Sequence, residues 1–272
     1  IHGNNITNNN YGIYVSDSEN NNVSDNTITA NTKYGLYLSW SGYNTLRNNN
    51  MTGNGYNFGV SSHTDWLPSL IQDIDTSNTV DGKSILYLVN QKNLVIDSST
   101  FPNIGYLAIV NSTNINVAGL TLTNNIQGIL LAYANNCTIK NVNISNNEGG
   151  IPMTYSCGNK ISHCTITNNY LYGIRLYYSN NNEISLCTIA NNWYGIDLYY
   201  SSSNNEISLC TIANNSYGVH LDSSSNNEIS LCTIANNWYG VDLEFYSNNN
   251  KIWHNNFVNN YRHAFNYYSS VN

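Results

Sequence analysis

Asp197, His220 and Asp242 stand 23 and 22 residues apart, and each is flanked by two apolar residues: Ile196 and Leu198, Val219 and Leu221, Val241 and Leu243. A residue between two core-facing positions of a strand points to the opposite face. If each interval is one turn of a coil whose strands lie about 4.8 Å apart, the three residues form an outward column, with Arg175 one turn earlier. The two carboxylates would then sit about 9.6 Å apart. Inverting glycoside hydrolases hold an acid and a base at roughly 6.5–9.5 Å, and an imidazole between them could pass a proton. The same column also reads as an alternation of charge that avoids stacking like on like. General acid–base chemistry needs a cleft, and no cleft is visible from the sequence. The charge ladder is therefore the stronger reading, and a role without catalysis is expected.

Other residue types recur at the same interval. Cys164, Cys187, Cys210 and Cys232 share one slot, which Asn4, Asn26, Val142 and Asn255 fill elsewhere. Either they stack as buried free thiols, or they bond between turns, since a 4.8 Å strand spacing lies within disulfide range. With Cys137 and Cys157 the available pairs are 137–157, 164–187 and 210–232. No C-x-x-C spacing marks a zinc site, and His2, His63, His163, His254 and His263 fall in no common slot, so neither metal nor cofactor is expected. Glu183, Glu206 and Glu228 form a column of like charge best read as solvated. Tyr172, Tyr194, Tyr217 and Tyr239, with Trp193 and Trp238, form an aromatic stripe that could pack on another protein or on sugar rings. Sequons at Asn5, Asn22, Asn50, Asn111, Asn136, Asn143 and Asn214 are compatible with a glycosylated surface.

These columns require a repeat. The segments beginning at Asn181, Asn204 and Asn226 are near copies, reading NNEISLCTIANN and then YG. A period of 22–23 residues with short β-branched alternation and no helical run describes one rung of a parallel β-helix. The expected fold is all-β, a single parallel β-helix of about twelve rungs over residues 1–272, with irregular rungs or a projecting loop within 60–105 and residues 62–82 the best loop candidate. Gly12, Gly35, Gly59, Gly128, Gly150, Gly173, Gly195, Gly218 and Gly240 are assigned one corner slot, where a sharply turning chain can call for positive φ. The second Asn of each pair, Asn125, Asn147, Asn169, Asn192, Asn215 and Asn237, should stack as an inward amide ladder.

Composition narrows the function. Only 9% of residues are charged and the net charge is −7, which argues against nucleic-acid binding. No apolar run reaches the roughly 20 residues of a membrane span. The chain opens and closes near whole rungs without evident polar caps, so head-to-tail stacking of copies into a fibre, hoop or sheath is expected.

The repeats of Ile1–Val60 and Leu120–Phe265, of the form NNxIxxNxIxNNxxGIxL, resemble the right-handed parallel β-helix repeats of NosD-type proteins. They are most similar to the Asn- and Tyr-rich versions in secreted and surface-layer-associated archaeal proteins. The segments 73–83 and 105–110 resemble that family's recurring interruption. The resemblance implies a right-handed helix and an extracellular or periplasmic place. It leaves three functions open: a self-associating structural protein of the cell surface, which is favoured; a polysaccharide-binding or polysaccharide-cleaving protein; and a periplasmic copper-site accessory protein. The last is weakened by the lack of a His/Met/Cys cluster. Aspartate groups like those of β-helix pectate lyases and polygalacturonases are not recognisable.

Overall fold

Each repeat folds into three short parallel strands, such as Glu183–Ser185, Thr188–Ala190 and Tyr194–Tyr199. Corresponding strands pair in register between turns, with Ile184 opposite Ile207, Ile189 opposite Ile212 and Leu198 opposite Leu221. These side chains are fully buried. The corner between the second and third strands is made by the first Asn of each pair: Asn168, Asn191, Asn214 and Asn236 have φ of 57°, 58°, 57° and 54°. Asn tolerates this left-handed conformation better than other side chains. A second sharp corner places Leu186, Leu209 and Leu231 at φ 56°, 55° and 56°, half-exposed and directly before the cysteines.

The computed structural model describes residues 1–62 and 66–267 as a right-handed parallel β-helix of about twelve turns. His63 and the last residues of the expected final rung, to Asn272, lie outside the described residues. The stack is interrupted once. The first three turns build the strands Tyr11–Ser16, Tyr34–Ser39 and Tyr56–Ser61 into a sheet of their own. Within 62–82, the candidate for a projecting loop, Asp73–Ile74 and Thr79–Val80 instead lie on the third turn. Asp81 and Gly82, at φ 48° and 74°, then reverse the chain, and Val80 pairs antiparallel with Lys83. Two positive-φ residues in a two-residue hairpin match the twist of the flanking strands. The strand Lys83–Val89 begins the second stack, which runs on to Arg262–Asn266.

The two stacks share a wall. Along Lys83–Val89 and Ile104–Val110, Leu86, Leu88, Leu107 and Ile109 face the core of the second stack. Their neighbours Ile85, Tyr87, Tyr106, Ala108 and Val110 enter the core of the first, beside Phe58, Met51 and Leu38. All seven residues of Ile104–Val110 are buried, as in a strand covered on both faces. Phe58 meets the Tyr106 ring edge-on at 4.9 Å. The edge of Tyr56–Ser61 is closed by hydrogen bonds from Ile126 N to Phe58 O and from Gln127 Nε2 to Val60 O. Gly59 therefore does not belong to the corner slot. It faces Tyr37, Asn57 takes the corner position, and a Cβ on Gly59 would lie 2.4 Å from Ile126.

The other corner glycines are required for a different reason from the one expected. None from Gly128 to Gly240 has positive φ except outside the slot. A Cβ at Gly195 would stand 2.5 Å from Gly218 O, so the close approach of the next turn excludes any side chain. The amide ladder forms as expected: the backbone N of Asn125, Asn147, Asn169, Asn192 and Asn215 each donates to the Oδ1 of the Asn one turn on, at 2.9–3.1 Å. A second ladder runs Asn159, Asn182, Asn205, Asn227 and Asn250, and a serine ladder runs Ser156, Ser179, Ser202, Ser224 and Ser247.

Candidate functional site

The expected column exists. In-register strands set Arg175 beside Asp197, Asp197 beside His220 and His220 beside Asp242. Arg175 Nε lies 3.1 Å from Asp197 Oδ2, as a charge contact rather than an aligned hydrogen bond. Asp197 Oδ1 is 2.8 Å from His220 Nδ1. The column does not face open solvent: Asp197, His220 and Asp242 are 3%, 7% and 1% exposed. Tyrosines cover it. Tyr194 and Tyr217 stack at 4.9 Å, as do Tyr217 and Tyr239, and His220 lies 5.1 Å from the Tyr194 ring.

Burial lowers the proton affinity of His220, but its hydrogen bond to Asp197 and the charges of Asp197, Asp242 and Glu244 outweigh this and hold it above its ordinary value. Burial pushes Asp242 up to about 6, against the pull of His220. Its Oδ1 has no hydrogen-bond partner. Glu244, two residues along the same strand, brings Oε2 to 3.8 Å from His220 Nε2. Among the described residues, His220, Asp242 and Glu244 form a grouping whose ligand atoms all lie within 4.8 Å of one another. The sequence reading missed Glu244; its position, two residues after Asp242, puts both side chains on one face.

A cleft of about 550 Å³ opens where the two stacks meet. Tyr172, Tyr177, Tyr199, Tyr200 and Arg175 line one side, and Val60, Ser61, Ser62 and Leu70 the other, with Gln127, Leu130, Pro152 and Thr154 at its floor and rim. Arg175 lies 4.9 Å from the Tyr199 ring centre and 5.5 Å from that of Tyr172. Burial pushes the Tyr172 hydroxyl up to about 12, with Arg175 opposing. Asp197, His220 and Asp242 do not line this cleft. The three are bonded or packed to one another, without the gap for a water that an inverting pair needs.

The remaining candidates separate. Trp193 and Trp238 are 54% and 55% exposed, whereas Tyr172, Tyr194, Tyr217 and Tyr239 are half-buried, so the aromatic stripe is two features. All six cysteines are free thiols. Cys164, Cys187, Cys210 and Cys232 stack inward, each Sγ turned to the carbonyl two residues before it. The contact with Cys187, followed by burial, holds the Cys164 thiol far above its usual range. Cys137 donates its N–H to the Asn159 ladder, while Cys157 takes an N–H from Asn180 at its sulfur, so these two occupy different slots and do not meet. His163 and His254 share the left-handed corner slot of Leu186, Leu209 and Leu231. Glu183 pairs with Lys160 at 2.9 Å, and Glu228 accepts from Trp253 Nε1. The seven sequon asparagines are all exposed.

The family described as periplasmic copper-binding protein (NosD) matches residues 1–67 and 78–272. The chain belongs to the NosD family. No curated protein sequence matches this NosD-family chain. Among solved structures it is similar to a mutant of the periplasmic alginate epimerase AlgG, with 14% identity over 90% of this chain and 77% of that one, at a TM-score of 0.49. It is also similar to the mannuronan C-5 epimerase AlgE4 A-module of Azotobacter vinelandii, with 12% identity, 93% and 75% coverage and a TM-score of 0.38. The Streptococcus pneumoniae surface protein and adhesin PfbA gives 11% identity, 94% and 68% coverage and a TM-score of 0.39. No helix among the described residues of this NosD-family chain is long and apolar enough to cross a membrane.

Proposed function

We propose that this NosD-family chain binds a polysaccharide outside the cytoplasm, in the cleft where its two stacks meet. The observation that carries the reading is the lining: four tyrosine rings, an arginine, and hydroxyl and amide groups from Ser61, Ser62, Thr154 and Gln127 around about 550 Å³. Aromatic faces present flat apolar surface with a polar tip, which suits the alternation of C–H faces and hydroxyl edges on a sugar ring. A cavity of this size lies in the usual range for ligand sites. The Arg175 charge is already met by Asp197, which favours a neutral chain over a strongly acidic one. Binding rather than cleavage is the reading, because the carboxylates of the column lie outside the cleft. A glycan array followed by calorimetry tests it. Tyr199→Ala and Tyr200→Ala should each abolish measurable binding of the selected oligosaccharide, while Trp193→Ala on the far corner leaves it unchanged. Equal binding in all three variants refutes the assignment.

A second reading, a structural surface protein that packs against copies of itself, has its own observation. Tyr170, Trp193, Trp238 and Tyr261 line one corner at 70%, 54%, 55% and 66% exposure, and Trp238 stacks on Tyr261 at 4.2 Å. Negative-stain microscopy checks it: filaments or sheets that Trp193→Ser and Trp238→Ser disperse would favour it, and discrete rods at high concentration would count against it.

A further inference from the structure

His220 faces Asp242 across adjacent parallel strands, and Glu244 stands one same-face position further on. Two carboxylates and an imidazole thus converge, with Nε2 of His220 3.8 Å from Glu244 Oε2 and all three donor atoms within 4.8 Å. Asp242 is 1% exposed and its Oδ1 has no donor. A buried acceptor left in this way is destabilising, more so when charged; a cation among the three donors satisfies it. The second ring nitrogen of His220 is held by Asp197 Oδ1 at 2.8 Å, and Arg175 meets the other oxygen of that carboxylate. A carboxylate on Nδ1–H fixes the tautomer that leaves the Nε2 lone pair free to coordinate, an arrangement typical of metal-bound histidines.

We propose that His220, Asp242 and Glu244 bind one divalent first-row transition ion, linking the strand Tyr217–Asp222 to the strand Tyr239–Glu244. Bond lengths of about 2.0–2.2 Å place tetrahedral donors about 3.4 Å apart. The donors, within 4.8 Å of one another and with His220 Nε2 and Glu244 Oε2 at 3.8 Å, must draw together on the ion, and the half-buried Glu244 side chain has room to turn towards it. One nitrogen and two oxygens suit Zn²⁺, Mn²⁺ or Cu²⁺, whereas Cu⁺ prefers sulfur. The family's name refers to copper, and this donor set fits the divalent ion only: the thiols of the cysteine column are buried in the core of the second stack. Three protein ligands leave further coordination positions open. None of the three ligands lines the polysaccharide cleft, although Arg175 borders it and meets Asp197, and the site would stand if that reading failed.

The test uses the tag-free chain, stripped with chelator, titrated with Zn²⁺ by calorimetry and with Co²⁺ by visible absorption. The expected result is one ion per chain, with Co²⁺ bands of a nitrogen–oxygen site and a melting temperature raised by saturating Zn²⁺. Glu244→Gln alters a half-buried position and should keep a native circular dichroism spectrum while losing both the tight binding and the thermal shift. Asp197→Asn, which touches no metal, should weaken binding about ten- to hundredfold. No stoichiometric binding by the wild type overturns the proposal, as does binding unchanged in a folded Glu244→Gln. Because Asp242→Asn disturbs a buried position and can fail to fold, Glu244→Gln decides the matter alone.

Discussion

Asn192→Ala removes one step of an amide ladder and its cost can be worked out atom by atom. Asn192 Oδ1 accepts the backbone N–H of Asn169 at 3.0 Å and its Nδ2 at 3.1 Å. Its own Nδ2 donates to Ala190 O at 3.0 Å and to Asn215 Oδ1 at 3.1 Å, with a long contact to Ile166 O at 3.5 Å that adds little. Ala190 O keeps the N–H of Asn168, and Asn215 Oδ1 keeps the N–H of residue 192. The loss therefore falls on the two donors of Asn169, a residue 2% exposed. Each buried donor left unpaired costs about 1–3 kcal/mol, so the variant should lose about 3 kcal/mol in all. Turns of a solenoid open as neighbouring units, so amide exchange at Asn169 reports the effect locally, and the denaturant midpoint reports it globally. The control is Asn191→Gly, next door in sequence, half a corner away and at φ 58°. Gly adopts that conformation freely, and the change should move stability by less than about 0.5 kcal/mol. If Asn192→Ala stays within that same margin, or if the Asn169 amide exchanges no faster, the ladder is not what holds the turns together.

Gly195→Ala places a methyl group 2.5 Å from a backbone oxygen of the next turn and should cost about 1–3 kcal/mol, as overpacking does, read as a lowered melting temperature. Cys157 is the one partly exposed cysteine; an aromatic disulfide reagent should label one thiol per native chain and six after denaturation, and rapid native labelling of more would contradict the buried column. Burial raises the Glu148 carboxyl, which accepts the Tyr34 hydroxyl across the junction at 2.9 and 3.0 Å. A raised native value means that the folded state holds this proton more tightly than the unfolded one. Its contribution is present below the unfolded value of about 4.3 and is lost as pH rises through the native value. Glu148→Gln should therefore flatten the fall in stability between acid and neutral pH, and parallel profiles for the two proteins would show that the group is not responsible.

The repeating parts of the molecule were legible because each turn meets the same constraint. Ile184, Ile207 and Ile229 had to face inward, and Asn169, Asn192 and Asn215 had to stack, once the period was known. Column order was equally legible: Arg175, Asp197, His220 and Asp242 are neighbours as expected. Their burial was not, because it comes from tyrosines three residues earlier that lean over them, a matter of side-chain direction rather than spacing. The junction left two local signals. Asp81-Gly82 between short β-branched strands is a hairpin sequence, and the unbroken apolar run Ile104–Val110 belongs to a strand buried on both faces. Gly59 was misplaced because its spacing from Gly35 fits the period within the observed variation, although it stands opposite Tyr37. The cleft could not be read at all, since its walls, Val60 and Tyr199 among them, meet only when two distant stacks pack.

The wall of Ile85, Tyr106, Ala108 and their alternating partners also decides where this protein comes apart. A simple array of turns frays from its tips, each terminal turn having one neighbour and each inner turn two. Here the strands near the middle of the chain have neighbours on four sides: the turns before and after them, and a core on either face. Opening them exposes apolar surface in both stacks at once. The strands Lys83–Val89 and Ile104–Val110 should therefore remain closed longer than strands with a core on one face only. A cut that removed either stack would strip one face of that wall, leaving the surviving half with a band of exposed aromatic and aliphatic side chains.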